Sequence, residues 1–300
     1  MGMLHQMFTT KYDAGDSNKT EKCIIMRTLL NRLLQKELEG TTDIAVSFSG
    51  GLDSQCILYS LLELGKKPNL YIYYVKDYPS PDLKRSRKIA KILDLKLVET
   101  IIPNDFETLV KDVITLIKMG ITGKVDIQCN HGQMYLAKAV KEKTLFSGSG
   151  ADTLYGVFKS VIIASSKDPI LFNSLRIKML SKPNFQKIHE ENIFRKHGIT
   201  LKYPFHEPKM EDYLLSYSWA EINKPRNKYI IVKDYPEIQK YKTYNPRGSQ
   251  QITAGTRALH NQLIGSKLNR LKRKRVQEIY KDIQRYLIVN EKMFLKLITP

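Results

Sequence analysis

A parallel β-sheet with helices on both faces, followed by a largely helical C-terminal half, is the α/β architecture predicted for this 300-residue chain. Three observations predict it. Short apolar runs at 44–48, 69–75, 96–102 and 144–146 alternate with longer stretches of helical spacing, and parallel strands need such crossover connections. The first run ends in Ser49-Gly50-Gly51, a turn that leads directly into a helix. After Gly156, helical stretches such as 169–180 are punctuated by prolines at 183, 204, 208, 225, 236 and 246, and strand patterns fade.

Taken in order, residues 1–20 are polar and read as a loose leader. Over 21–39, Ile25, Met26, Leu29, Leu30, Leu33, Leu34 and Leu38 recur at three and four, which is a helix with one buried face, stopped by Gly40. Strand 44–48 is followed by helix 54–64 and Gly65, then strand 69–75, helix 82–93, strand 96–102 and helix 106–119. A helix at 133–140 and a strand at 144–146 complete the sheet region. The chain therefore divides into a leader and helix (1–40), an α/β domain (41–160), a helical substrate region (161–265) and a basic helical tail (266–300).

Hydrophobic residues make up 42% and charged residues 26%, a globular balance that excludes a fibrous or mostly disordered chain. Lys and Arg outnumber Asp and Glu 49 to 30, a net charge of +19, so a nucleic acid or polyphosphate partner stays open. Ten of the basic residues, against three acids, lie in 266–300, including Lys272-Arg-Lys-Arg275. Cys23, Cys56 and Cys129 form no CxxC pair, which argues against a disulfide framework or a zinc knuckle. That usage, with no signal-like or membrane-length apolar stretch, predicts a cytoplasmic protein without membrane attachment.

The stretch Ala45-Val-Ser-Phe-Ser-Gly-Gly-Leu-Asp-Ser54 carries the chemistry. Gly50 and Gly51 let backbone approach a phosphate closely, and the following helix offers unpaired N–H groups at its positive end. Ser49 and Ser54 add hydroxyls, and Asp53 can hold the magnesium that accompanies a polyphosphate. Neither a Walker loop nor a dinucleotide G-x-G-x-x-G is present, and as a bare Gly-Gly-x-Asp the string would be no more than a capped strand-to-helix turn.

In its strand–loop–helix setting, Ser-Gly-Gly-x-Asp-Ser resembles the pyrophosphate loop of the ATP pyrophosphatase group (adenine nucleotide alpha hydrolase-like), whose members split ATP between the α and β phosphates. Within that group the chain resembles asparagine synthetase, over roughly residues 40–250. Ser147-Gly-Ser-Gly-Ala-Asp-Thr-Leu-Tyr-Gly156 is similar to the family's Ser-Gly-Glu-Gly-Ala-Asp-Glu-Leu-Phe-Gly. Tyr78-Pro-Ser-Pro-Asp82, His131-Gly-Gln-Met-Tyr-Leu-Ala137 and Lys202-Tyr-Pro-Phe-His-Glu-Pro208 match further family segments in the same order.

The resemblance implies ATP and magnesium as cofactors. Ser49, Gly50, Gly51, Asp53, Ser54, Ser147 and Gly148 would contact the nucleotide, and Val75 would lie where this fold sets the adenine edge against backbone. Asp53 and Asp152 would bind metal and serve catalysis together with a lysine, Lys242, or Lys240 if the register shifts. Ser149 and Thr153 stand where the family carries glutamates, so the acceptor chemistry differs from the family's. Family members carry a glutaminase domain ahead of this one, beginning at a cysteine. Here the chain opens Met1-Gly2 with 48 residues before Ser49, so glutamine hydrolysis in cis is not expected and an ammonia-supplying partner stays open. Three readings follow: an AMP-forming ligase joining a small carboxylate to an amine or ammonia, an enzyme modifying tRNA or DNA bases, and a non-catalytic ATP-binding relative. His131, His189, His197, His206 and His260 lack metal-ligand spacing and read as structural.

Overall fold

The computed structural model describes residues 25–157, 160–244, 250–263 and 276–289. Five parallel strands, β1 (Ile44–Ser47), β2 (Asn69–Val75), β3 (Leu97–Ile102), β4 (Thr144–Phe146) and β5 (Thr200–Lys202), form one sheet in the order β3-β2-β1-β4-β5. The chain moves outward from β1 to β3 and then returns to place β4 on the other side of β1. The carboxyl ends of β1 and β4 therefore flank a topological switch point, the crevice where open α/β sheets bind ligands.

Alternation along the central strands sorts side chains to opposite faces. Val46, Leu70 and Phe146 enter one buried cluster with the helices Met26–Glu37, Leu52–Glu63 and Tyr229–Asp234. Ala45, Tyr71 and Leu145 enter the other, with Phe106–Lys118, Lys124–Ala139 and Val276–Val289. Helices thus cover both faces, as the alternation predicts, and most expected boundaries hold within two residues. Local chemistry explains several starts. Ser80 caps Pro81–Leu93 by accepting from the Leu83 N–H, Asp105 caps Phe106–Lys118 by accepting from the Thr108 N–H, and Gly40 closes the first helix at φ 72°.

Two elements depart from expectation. The helix expected at 133–140 begins at Lys124, because its first turns bury Gln128, Asn130 and His131, polar residues that hide the apolar period. Strand β5 is three residues long at a sheet edge, too short for any periodicity. The leader and the Lys272–Arg275 cluster lie outside the described residues, while 276–289 is helical as expected of the tail. Among the described residues no helix is long and apolar enough to cross a membrane.

A buried polar chain ties the tail helix to the helices Phe106–Lys118, Lys124–Ala139 and Thr256–Leu263. Tyr135 O–H donates to Asp112 Oδ2 at 2.6 Å, His131 Nε2 lies 3.0 Å from the same oxygen, His260 Nε2 lies 3.0 Å from His131 Nδ1, and Tyr280 O–H reaches His260 Nδ1. One tautomer set satisfies every bond, with His260 neutral and donating through Nε2. Burial, followed by His131 and Lys124, holds His260 well below the usual histidine range. Its stabilising contribution is therefore complete above about pH 6.5 and declines as pH falls below it, because the unfolded chain binds the proton more readily. Urea unfolding of wild type and His260→Gln between pH 7.5 and 5 should show a gap that narrows as pH falls. A gap independent of pH would contradict this.

Candidate active site

The two glycine strings fold as near copies. After β1, Ser49 Oγ accepts from the Gly51 N–H at 3.2 Å, and after β4, Ser147 Oγ accepts from the Ser149 N–H at 3.2 Å. Gly50 adopts φ 66°, and a Cβ there would press on the Arg85 side chain at 3.2 Å. Among the described residues no side chain caps Leu52–Glu63, which begins after Gly51, so its positive end stays available to an anion. Ser54 Oγ donates to the Gly51 carbonyl at 3.0 Å, and Gln55 Nε2 to the Gly50 carbonyl at 2.7 Å, which fixes the turn from within. Arg85 Nη1 holds the Ser49 carbonyl at 3.3 Å and Ser86 Oγ the Phe48 carbonyl at 3.0 Å, so the helix opened by Ser80-Pro81-Asp82 braces the loop from outside.

The strings touch at Gly148, where a Cβ would stand 2.9 Å from the Asp53 Cβ. This contact brings Asp53 and Asp152 to a single cation. Lys228 Nζ lies 2.6 Å from Asp53 Oδ2 and 2.6 Å from Asp152 Oδ1, over the Tyr155 ring. Lys228 is buried at the start of Tyr229–Asp234, with φ 55° and its N–H bonded to Asn223 Oδ1 at 2.9 Å. The two carboxylates hold its ammonium well above the usual lysine range, against the opposing pull of burial. Burial pushes Asp53 up to about 6 although Lys228 acts against it, and Asp53 Oδ1 is buried without a partner among the described residues. An acid pair with one unsatisfied oxygen beside an open helix end fits a magnesium–polyphosphate group.

Lys228 was not among the candidate residues. Its one sequence signal is a lysine at the start of the apolar run Tyr-Ile-Ile-Val, where the helix dipole disfavours a cation unless acids offset it. Lys242 is placed elsewhere: it is exposed at φ 53°, while the adjacent Thr243 docks beneath the first loop, its Oγ1 2.7 Å from Gln55 Oε1. Lys240 is exposed over the Tyr241 ring. Val75 has both backbone groups engaged, its N–H donating to Ala254 O at 2.9 Å and its carbonyl accepting from the Tyr78 N–H at 3.1 Å.

The segment after β5 reaches the second string. His206 packs on Gly150, where a Cβ would fall 2.0 Å from its Nε2, and Tyr203 O–H donates to Glu190 at 3.1 Å. Glu190, on Phe185–Arg195, is a buried carboxylate that the sequence reading also passed over. Beside Gly150, Thr153 and His206 lies a cavity of about 390 Å³, also lined by Asn184, Phe185 and Glu211.

Residues 26–287 match the asparagine synthase family. The chain is similar to a glutamine-hydrolysing asparagine synthetase of Gallus gallus, with 26% identity over 71% of this chain and 39% of that protein. It is also similar to an asparagine synthetase domain-containing protein of Saccharomyces cerevisiae, 24% identical over 86% of this chain and 57% of the other. It thus spans about two fifths to three fifths of these relatives. Among solved structures, a predicted subunit of a tRNA methyltransferase from Methanocaldococcus jannaschii overlays at TM-score 0.34 with 18% identity, over 70% of this chain and 94% of that one, too loose a likeness to bear on function.

Proposed function

The chain belongs to the asparagine synthase family, and from that premise we propose that it is an ATP-dependent ligase that adenylates a carboxylate and then forms an amide. One observation carries the reading: the two glycine strings meet at the switch point with Lys228 shared between Asp53 and Asp152. The outer phosphates would rest on the first-turn N–H groups of Leu52–Glu63 and on the hydroxyls of Ser49 and Ser54. Magnesium would be held by Asp53 and Asp152 together with phosphate oxygens, and would draw negative charge from the departing pyrophosphate.

Within that setting a substrate carboxylate oxygen attacks the α-phosphorus, and pyrophosphate leaves with the bonding pair into the Ser49–Ser54 loop. Lys228 then offers a fixed positive charge where negative charge accumulates, preorganised and shielded from water. An amine attacks the mixed anhydride and displaces AMP. Aspartate with ammonia is the pair to test first.

Incubation with magnesium ATP, aspartate and ammonium chloride should yield AMP, pyrophosphate and amide in equal amounts, and production of ADP instead would overturn the scheme. A nucleic-acid acceptor is the second reading. It is favoured by Lys84, Lys88 and Lys91, exposed on the same helix whose Arg85 holds the phosphate loop. AMP release that requires added tRNA would replace the first reading with this one.

A further inference from the structure

The helix Pro81–Leu93 turns one face to the phosphate loop and the other to solvent. Inward, Leu83, Ser86, Ile89 and Ala90 are buried, and Arg85 and Ser86 hold the carbonyls of Ser49 and Phe48. Outward, Lys84, Arg87, Lys88 and Lys91 are exposed. With Tyr78 and Pro79 they line an open groove of about 1000 Å³, whose described lining holds five cations and no acid. Arg85 is paired with Asp82 at 3.0 Å and Arg87 with Glu99 at 2.6 Å, whereas Lys84, Lys88 and Lys91 meet no carboxylate among the described residues. Lys84 also stands near the positive end of its helix, where the dipole disfavours a cation unless an anion comes to it.

The three unpaired lysines lie about a turn apart on one helix face. At 1.5 Å per residue they cover about 10 Å of helix axis, and a nucleic-acid strand rising 3.4 Å per nucleotide carries about three phosphates over that length. Tyr78 is fixed where the helix begins. Its ring lies against Gly255, where a Cβ would fall 2.5 Å from Cγ, and its hydroxyl donates to the Ile252 carbonyl at 3.1 Å. A ring held this way offers a base a preformed surface for stacking. We propose that this groove binds a single nucleic-acid strand, its phosphates on Lys84, Lys88 and Lys91 and a base on Tyr78. Charge complementarity favours a repeating anion over a lone phosphate, and the aromatic ring favours nucleic acid over inorganic polyphosphate. The groove is separated from the phosphate loop by the width of one helix, about 10 Å, so a bound strand runs beside the nucleotide site without filling it. The inference goes beyond both catalytic readings, because binding requires no turnover.

Fluorescence anisotropy of the full chain with labelled single-stranded RNA and DNA, between about 50 and 200 mM salt, tests it. The triple variant Lys84→Gln, Lys88→Gln, Lys91→Gln should bind at least about tenfold more weakly at low salt, and the slope of log affinity against log salt should fall by about two. Tyr78→Leu should weaken binding about tenfold, while Tyr78→Phe keeps the ring and the affinity. Magnesium ATP binding, followed by calorimetry, should stay within about twofold in the triple variant, since exposed substitutions away from the loop leave it intact. Binding of either strand supports the assignment, and the tighter of the two names the partner. Unchanged affinity and salt slope in the triple variant would overturn it. So would an equal loss in Lys67→Gln, Lys141→Gln, Lys143→Gln, exposed positions before the amino ends of β2 and β4. Inorganic polyphosphate competing as well as RNA, with Tyr78→Leu unaffected, would overturn nucleic acid as the occupant. Failure of the ligase reading leaves each of these outcomes as decisive as before.

Discussion

Lys228→Met is expected to abolish AMP release and to lower stability by about 3–5 kcal/mol at pH 8, because removing one member of a buried ion cluster strands the others. The substitution keeps most of the side-chain volume over Tyr155 and removes only the charge shared by Asp53 and Asp152. Its stability cost should depend on pH with a definite sign. Asp53 already titrates near 6 through burial, and losing the neighbouring ammonium moves it further upward. A group whose folded value lies above its unfolded value favours the fold below the unfolded value and loses that contribution as pH rises through the folded one. Urea unfolding should therefore show the variant approaching wild type near pH 5 and diverging from it at pH 8. Adding Asp53→Asn should recover stability without recovering turnover. A cost equal at both pH values, or activity in Lys228→Met, would remove the lysine from the centre of the site.

Arg176→Met should destabilise the chain by at least about 3 kcal/mol, through hydrogen bonding rather than charge pairing. Arg176 is completely buried, and its guanidinium donates to the carbonyls of Leu154 at 2.7 Å, Leu214 at 3.0 Å, Leu215 at 3.2 Å and Tyr217 at 2.9 Å, and to Asn173 Oδ1. It stacks on the Phe172 ring, 4.1 Å from the centroid. These carbonyls lie at the ends of Ala151–Tyr155 and Pro208–Leu215, where helix dipoles favour a cation. Burial pulls the guanidinium down to about 9, a sign of how much the site asks of those bonds. Methionine would fill the space and take the guanidinium donors from four carbonyls, of which Leu214 keeps the Tyr217 N–H at 3.3 Å. Lysine should recover only part of the loss, since an ammonium cannot span so wide a fork. Denaturant unfolding checks the magnitude, and a change below about 1 kcal/mol would show that water replaces the guanidinium. Because Leu154 follows Asp152 in the same short helix, turnover should fall along with stability.

Strands β1 to β4, the first glycine string and its partner after β4 were legible because each is a local feature. A strand flanked by polar turns shows itself by a run of apolar residues, and a phosphate loop shows itself by the glycines that bring backbone close. The helix opening at Ser80-Pro81-Asp82 was legible for the same reason, since a cap and a proline at the first position act within one turn. Helix 124–139 was half hidden because its buried face carries Gln128, Asn130, His131 and Gln133, and polar residues on a buried face read as surface in the sequence.

The residues alone determined an alternating sheet with a glycine turn after its first and fourth strands and an acid after each turn. Tertiary structure alone decided which cation answers those acids. Lys228 is one of many lysines and lies far along the chain from Asp53, and its selection depends on a turn that buries its ammonium between two carboxylates. Glu190 was likewise an ordinary surface-type residue until helix 185–195 buried it against Gln186 and Tyr203. The physical reason is range: backbone geometry is written in neighbouring residues, whereas the desolvation and pairing of a charge depend on what distant segments bring within a few ångströms.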